Sequence, residues 1–542
     1  MSKTAFIRET TGLVREWSWF DTFTYNVYSC GGFISWQMLY ILAASPVIFP
    51  GGDALYALFI GALICIPHIV AYGLLAVAMP RSGGDYVFQS RILHPALAFM
   101  VNMAAWVIWL FNWVVWAALG GISVTIYPLL SLLGVTTGNS AFLDAAAWTI
   151  TTDGTAIIAV IIIISGFLLC MAGMRFIARS NIVVFIGVLV GWLILMALCI
   201  PNSPSTFGPA FDEYMAAIGS NATYQSVIAE AQSTGFNVSP SFSLTKTIGI
   251  VPMAYGAVMW FFWSVYNSGE VKRASEFRTY LKGMLGAMAW VIFMLVTITY
   301  FYIRLIGSDF WNAISYAYVQ GTPSAAILPT LPSYTLLPML LVKNPIVIAI
   351  FYIAIALQYP IAIALNFLPA SRIMLAMSFD RLLPEKVAAV DNRLHNPYVT
   401  YIIGLVGGLI WFYLLYYTEA GTWIFSMLSV STIAIIITCL AAVVLPYRRV
   451  TRSIYEAYPF ARTRILGVPA VTMVGLVGLL LNGWMLYYFV IDPTYGAWIW
   501  PTGVLVNVGV FIFCLVWYYA TKIYRKSQGI DVSLAFREVP PE

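Results

Sequence analysis

Charge is scarce in this sequence. Of 542 residues only 9% are Asp, Glu, Lys or Arg, while 61% are hydrophobic and the mean hydropathy is +0.87. Soluble domains carry about 25% charged residues, so a water-soluble globule is excluded. Histidine and cysteine are also few, at three and six. Three histidines leave little material for a zinc or haem site, and no metal or other cofactor is expected. The cysteines (Cys30, Cys65, Cys170, Cys199, Cys439, Cys514) lie in or beside apolar runs without a C-x-x-C pair, and read as small core hydrophobes rather than disulfides or ligands. The longest polar stretch, 201–246, is too short to be a separate soluble domain. Residues 1–16 are polar and mixed in charge, without the apolar segment of a cleaved signal peptide.

What the chain has in quantity is uncharged apolar sequence. Runs such as Thr155–Met171 and Val399–Tyr416 contain no charge, and roughly 20 apolar residues cross a bilayer core of about 30 Å. Twelve windows qualify, near 17–46, 54–79, 95–133, 153–173, 179–201, 247–268, 279–306, 345–377, 399–417, 422–446, 468–491 and 497–523. The expected fold is an all-α polytopic membrane protein, with the overlong third span tilted or overrunning the bilayer. The expected organisation is a short segment 1–16, one transmembrane domain over 17–523 and a tail over 524–542. Of the 27 Lys and Arg, all but Lys246, Arg304 and Lys343 fall in one alternate set of loops and span ends. The positive-inside rule makes that side cytoplasmic, with both termini inside.

On the other side lies the loop Pro201–Lys246. It is acidic (Asp212, Glu213, Glu230) and carries two N-glycosylation sequons, at Asn221 and Asn237. In the second outer loop, 307–344, the stretch SDFWNAISYAY reads as a short amphipathic surface helix.

Ionisable residues inside membranes usually mark substrate or ion paths, and here the span centres have almost none. Asp21, Glu270 and Arg304 sit towards span ends, and His68, after Pro67, is the only ionisable side chain deep in a helix. A hydrogen-bonded packing histidine beside a proline is the favoured reading of His68. A polar substrate is then held by hydroxyls, amides and backbone groups, and backbone groups are free where helices break. Span 1 offers Ser29-Cys30-Gly31-Gly32-Phe33, with adjacent glycines in mid-membrane. They suit an unwound backbone or tight helix packing through small residues; the residues alone leave both open. Span 6 offers Pro252-Met253-Ala254-Tyr255-Gly256, then Met259-Trp260-Phe261-Phe262-Trp263-Ser264. That block is a binding-site wall or a packing surface in a chain that is 16% aromatic. The same two readings apply to Trp106, Trp109, Trp113 and Trp116 in span 3.

Three stretches at the span ends resemble one family. After span 2 comes Met79-Pro80-Arg81-Ser82-Gly83-Gly84-Asp85-Tyr86-Val87, then Leu93-His94-Pro95. Span 6 ends in Gly269-Glu270-Val271-Lys272-Arg273. Span 8 ends in Ser371-Arg372-Ile373-Met374-Leu375-Ala376-Met377-Ser378-Phe379-Asp380-Arg381-Leu382-Leu383-Pro384, followed by Asn396-Pro397. In this order, on twelve spans, they resemble the signatures of the amino acid–polyamine–organocation transporters over nearly the whole chain. The resemblance implies a leucine-transporter-like fold, in which repeat one (about 17–201) and repeat two (about 247–446) are inverted copies and the helices of 468–523 are peripheral. It implies substrate between the broken middles of spans 1 and 6, with the substrate carboxylate on N–H groups of span 1 and its ammonium on carbonyls, mainly of span 6. Carried onto this sequence, the site residues are Ser29, Cys30, Gly31, Gly32, Phe33, Trp260, Phe261 and Ser264. Gly83, Gly84, Asp85, Glu270 and Arg372 are gate or scaffold residues of the inner face, where Asp85 and Glu270 are expected to pair with basic residues.

Two departures matter. Cys30 stands where the family's first span 1 glycine falls, and Trp260 where span 6 usually has its unwound glycine. Either the pocket shrinks or the break moves to Tyr255-Gly256. A span 5 lysine found in some proton-coupled relatives is missing, with Gly187 or Val188 in its place. Ala354–Leu368 has no hydroxyl except Tyr359 for a sodium site. Both absences favour an exchanger or facilitator.

The expected function is a plasma-membrane permease or exchanger for amino acids, neutral and apolar rather than dibasic, or for related amines, working by alternating access. Its partners are the bilayer and a small-molecule substrate, not nucleic acid. The competing class is a non-transporting nutrient sensor or scaffold subunit that binds a partner through the 201–246 loop. No paired carboxylates, metal-ligand cluster or nucleophile–base pair supports an enzyme.

Overall fold

The computed structural model of the chain describes residues 13–29, 31–32, 36–322, 331–391, 393–418, 424–457, 460–495, 498 and 501–537. Within them the fold is almost wholly helical, with one two-residue β-pair (Arg464–Ile465 against Val468–Pro469). Eleven helical segments are long and apolar enough to cross a membrane. In chain order they are span 2 (Ala54–Ala78), span 3 (Pro95–Thr137), span 4 (Thr152–Met171), span 5 (Met174–Cys199), span 6 (Leu244–Glu270) and span 7 (Phe277–Ile306). Span 8 (Pro345–Phe379), span 9 (Tyr398–Tyr417), span 10 (Ser426–Val444), span 11 (Ala470–Ile491) and span 12 (Thr502–Ser527) complete the set. The expected span 1 is present as two short helices, Trp19–Ser29 and Trp36–Ile48. Between them Gly31 (φ +80°) and Gly32 (φ +59°) adopt left-handed backbone that a right-handed helix cannot continue through. The glycine pair therefore marks a break, not a packing seam.

Burial sorts the spans. The apolar window of span 6 is 89% buried, against 22% for span 12, so span 6 is central and span 12 peripheral. Spans 4 and 9 expose stripes of large apolar side chains at helical spacing. These are Ile157, Ile161, Ile164 and Leu168 on one, and Ile402, Val406, Ile410 and Tyr413 on the other. Such stripes face lipid tails in a membrane protein and would be untenable in water. The five described cysteines are buried and unbridged.

Besides span 1, four spans depart from regular α-helix, span 7 through a π-helical turn at Leu281–Leu285. Span 6 is α-helical only over Leu244–Val258, then unwinds through Met259–Phe262 into a 3-10 turn, Trp263–Glu270. The helix thus continues through Tyr255–Gly256, and the break stays at Trp260. Span 3 contains π-helical turns at Met103–Trp109 and Ile122–Ile126. Span 8 is interrupted at Leu357, between Pro345–Ala356 and Gln358–Phe379. Pro360 lies in the first turn of the second piece, where its missing N–H costs no helical bond.

The loop 201–246 is more ordered than its polar composition predicts. It holds the helices Pro204–Ala217 and Tyr224–Ser233. The predicted amphipathic segment is a helix, Ser308–Gln320, burying Phe310, Ala313, Ile314 and Ala317 at i, i+3, i+4 and i+7 spacing. Phe310 stacks on Tyr224 (centroids 4.4 Å) and meets Phe211 edge-on at 5.0 Å, and the helix also packs on Trp36–Ile48 of span 1. The side chains of Asn221 and Asn237 are exposed.

Candidate substrate site and span-end cluster

Backbone groups released by a helix break inside a membrane must find new partners, and in span 6 three freed carbonyls do. The Trp260 indole N–H folds back onto the Gly256 carbonyl at 2.7 Å. His68 Nε2 lies 3.1 Å from the Met259 carbonyl; a carbonyl only accepts, so Nε2 carries the proton. The Ser29 hydroxyl donates to the Trp260 carbonyl at 3.1 Å and to the Asn26 carbonyl at 2.7 Å. His68 is therefore a hydrogen-bonded packing residue, as favoured, and its specific task is to cap the unwound turn of span 6.

A second bond set ties the two broken spans together. Asn26 Nδ2 donates to the Ser264 hydroxyl (2.9 Å), and the Ser264 N–H donates to Asn26 Oδ1 (3.1 Å). Ser264, an expected substrate contact, thus has its hydroxyl engaged by span 1. Trp260 is buried and packs edge-on against Trp106 (6.2 Å), Trp113 (5.7 Å) and Trp263 (5.6 Å). The span 3 tryptophans at 106 and 113 are therefore part of its wall. Phe262 lies closest to span 2, with its ring 4.0 Å from Tyr72 and 5.7 Å from His68, and meets Trp106 edge-on at 6.1 Å. Phe261 is fully buried. Cys30 and Phe33, the remaining expected contacts, lie outside the described residues.

The break in span 1 recruits a residue that sequence reasoning missed. Gln358, at the interruption of span 8, donates from Nε2 to the Gly31 carbonyl at 2.5 Å. The carbonyl fixes the amide orientation, since Oε1 in its place would set two acceptors against each other. Oε1 is buried without a hydrogen-bond partner, and so is the Tyr28 hydroxyl. Both residues border Gly32: a Cβ there would lie 3.4 Å from Gln358 Oε1 and 3.6 Å from the Tyr28 ring. Two orphaned polar groups, an acceptor on one residue and a hydroxyl on the other, thus flank an unwound backbone. A carboxamide within an apolar stretch, two residues before a proline, was the signal available in the sequence.

A second cluster joins the three span-end motifs. Glu270 holds Arg372 bidentately (2.8 and 3.0 Å), and Arg372 also donates to Tyr401 Oη at 2.6 Å and to the Ser371 hydroxyl at 3.2 Å. Asp380 holds Arg91 bidentately (2.7 and 2.8 Å) and accepts from Tyr86 Oη at 2.7 Å. The Glu270 carbonyl accepts from the N–H groups of Glu16 and Trp17, both at 2.9 Å, which clips the N-terminal segment to the end of span 6. The Gly83–Gly84 turn has positive φ at both residues (+107° and +44°). The Gly83 N–H donates to the Tyr266 carbonyl at 2.9 Å. A Cβ on Gly84 would lie 2.5 Å from the Tyr266 ring, and one on Gly83 would lie 2.8 Å from Ala376 Cβ.

Asp85 does not follow its expected pairing. Its Oδ2 accepts from Tyr72 Oη (2.8 Å) and Trp106 Nε1 (3.0 Å), and among the described residues it forms no ion pair. The basic residues nearest in the cluster already belong to Glu270 and Asp380, which leaves Asp85 to neutral donors of spans 2 and 3.

Spans 1 and 6 broken at facing positions, two unpartnered polar groups beside the first break and motif-to-motif ion pairs at the span ends form the framework of a solute carrier. Comparison with curated proteins finds no match. The sequence model of the amino acid permease family matches residues 20–517, a stretch that includes spans 2–11, nearly all of span 1 and the greater part of span 12. The chain is a multi-pass membrane transporter, and it belongs to the amino acid permease family of the amino acid–polyamine–organocation superfamily.

Proposed function

We propose that the protein carries a neutral, apolar amino acid across the plasma membrane, as permease or exchanger, by alternating access around the breaks in spans 1 and 6. The observation that carries this reading is the pair of unsatisfied polar atoms beside Gly32, Gln358 Oε1 and the Tyr28 hydroxyl. Buried polar groups without partners are rare in native proteins and call for a reason. A zwitterion supplies both missing partners: its ammonium donates to Gln358 Oε1, and its carboxylate accepts from Tyr28 and from N–H groups of the Gly31–Gly32 turn. The span 6 carbonyls of Gly256, Met259 and Trp260 already have donors within the protein, so the ammonium is assigned to span 8 instead. Trp260 and its tryptophan neighbours offer an apolar wall to the substrate side chain, with no fixed charge for a dibasic one.

In this reading spans 1–5 and 6–10 are inverted repeats, each opening with a broken helix, and spans 11 and 12 stand outside. One transporter domain runs over 17–523, between the segments 1–16 and 524–542. The side rich in Lys and Arg is cytoplasmic, and the Glu270–Arg372 pair, the Gly83–Gly84 turn and Asp85 form its gate. The test is thermal unfolding of the purified protein against the twenty amino acids, polyamines and related amines, with and without sodium at two pH values. A ligand at 100 times its dissociation constant adds about 2.7 kcal/mol of stability. A shift with one class of neutral amino acid is the expected result. A shift with polyamines only, or with none of the compounds, contradicts the proposal.

A further inference from the structure

Three described carboxyl groups are buried on the side of the span-end motifs: Asp85, Glu270 and Asp380. Two of them hold an arginine bidentately, Glu270 with Arg372 and Asp380 with Arg91. Asp85 alone has only neutral donors. Tyr72 and Trp106 share its Oδ2, and Oδ1 has no hydrogen-bond partner. A buried carboxylate without a cation is costly enough that such groups take up a proton instead.

The surroundings are accounted for element by element. Span 2 presents Tyr72, with His68 one turn away against the Tyr72 ring (6.5 Å). Span 3 presents Trp106, which does not titrate. Span 6 presents Tyr266, whose hydroxyl also lacks a partner, and span 10 presents Thr438 and Cys439. Asp85's own helix, Gly84–Ile92, carries Arg91, which is committed to Asp380, and span 8 carries Arg372, which is committed to Glu270. Burial pushes the Asp85 carboxyl up to about 7, opposed in part by the hydrogen bonds from Tyr72 and Trp106.

Position makes this charge mechanically relevant. Asp85 directly follows the Gly83–Gly84 turn, which is wedged against Tyr266 of span 6 and Ala376 of span 8. Any separation of those spans uncovers the carboxyl to water. We infer that Asp85 is a proton-binding site of the gate, neutral while the turn and spans 2, 3 and 6 enclose it and ionised once the gate admits water. The inference rests on reading the 83–85, 270 and 372 cluster as a gate, and it places a titrating group in a transporter whose sequence pointed to none. The sign follows from linkage. The enclosed state binds the proton more tightly than a hydrated carboxyl does. Its advantage is therefore full at low pH, falls as pH rises from the ordinary carboxylate range to about 7, and is spent above that.

The experiment is counterflow of a neutral amino acid by the full chain in liposomes, with equal pH on both sides, from pH 6 to pH 8. Infrared spectra of the same samples accompany it. The closing equilibrium weakens about tenfold over that interval for a single site, most of it below pH 7, and the counterflow rate is expected to fall with it. Asp85→Asn, permanently neutral, should remove the pH dependence, and Asp85→Glu should restore it. A flat wild-type profile, or the same fall in Asp85→Asn, overturns the inference. If neither protein gives counterflow at any pH, it is the transport reading that fails. The infrared band of a protonated carboxyl at pH 6, present in the wild type and missing from Asp85→Asn, then still reports the site. Its absence from the wild type overturns the inference, whether or not the variant folds.

Discussion

Gln358 reaches across 327 positions of sequence to donate a 2.5 Å hydrogen bond to the carbonyl of Gly31. The bond joins the interruption of span 8 to the break in span 1 and leaves the other atom of the same carboxamide, Oε1, without a partner. One side chain therefore both holds the unwound backbone in place and offers an acceptor beside it.

Gln358→Met removes that acceptor while keeping length and burial. A hydrogen bond to a charged group contributes about 1.5–3 kcal/mol, so the dissociation constant for a neutral amino acid should rise about tenfold to a hundredfold. Isothermal titration or ligand-dependent unfolding of the variant measures this. An unchanged constant would show that Oε1 does not meet the substrate.

Trp260 fills the space where a smaller residue would leave room. Trp260→Ala should cost about 3–5 kcal/mol of stability, as removal of a large buried aromatic does, and should shift binding towards bulkier apolar amino acids. Trp260→Phe should keep the wild-type preference at a smaller cost. Competition of a labelled small amino acid by a size series of unlabelled ones is the readout. An identical ranking in wild type and Trp260→Ala would remove Trp260 from the pocket wall.

The buried pair of Glu270 and Arg372 gives a cycle that separates attraction from desolvation. Glu270→Ala leaves the guanidinium buried without its carboxylate and should destabilise by about 3–5 kcal/mol, as should Arg372→Ala. The double replacement Glu270→Leu with Arg372→Met should recover much of that loss, since no unpaired charge remains. Equilibrium unfolding of the four proteins checks the cycle.

Gly84 has a left-handed backbone and no space for a Cβ, which would fall 2.5 Å from the Tyr266 ring. Gly84→Ala should slow exchange by tenfold or more, because strain of about 1–3 kcal/mol falls on the closed arrangement of the turn, while ligand binding at the distant span 1 break persists. Adding Tyr266→Leu should return part of the rate by relieving the contact. Exchange at the wild-type rate in Gly84→Ala would mean that the turn takes no part in closing.

The spans were legible because their signal is bulk hydrophobicity over some twenty residues, which tertiary contacts do not alter. All twelve windows recur, the first as two short helices around the glycine pair. Periodicity likewise foretold the helix at Ser308–Gln320. The aromatic block of span 6 was ambiguous because its reading depends on which way each ring turns. Trp260 packs against Trp106 and Trp113 of span 3, whereas Phe262, two residues on, lies closest to Tyr72 of span 2 and meets Trp106 edge-on. Gln358 was not legible because its role rests on a bond to Gly31 made across 327 positions of sequence, which no local pattern in span 8 encodes. Asp85 was expected to pair with a cation because the region is rich in basic residues, but Glu270 and Asp380 take the buried arginines. Which of three carboxylates is left without one is a three-dimensional outcome that composition does not encode.

The most direct test of the account is counterflow of labelled neutral amino acids into liposomes holding the wild type or Gly32→Val. The site is assigned to the span 1 break, where Gly32 has φ +59° and lies against Gln358 and Tyr28. The wild type should therefore accumulate label against an internal pool of the same amino acid. Gly32→Val should lose both counterflow and ligand-dependent stabilisation while still unfolding cooperatively. Undiminished counterflow in Gly32→Val would contradict the placement of the site, and no counterflow by the wild type with any amino acid would contradict the proposed function itself.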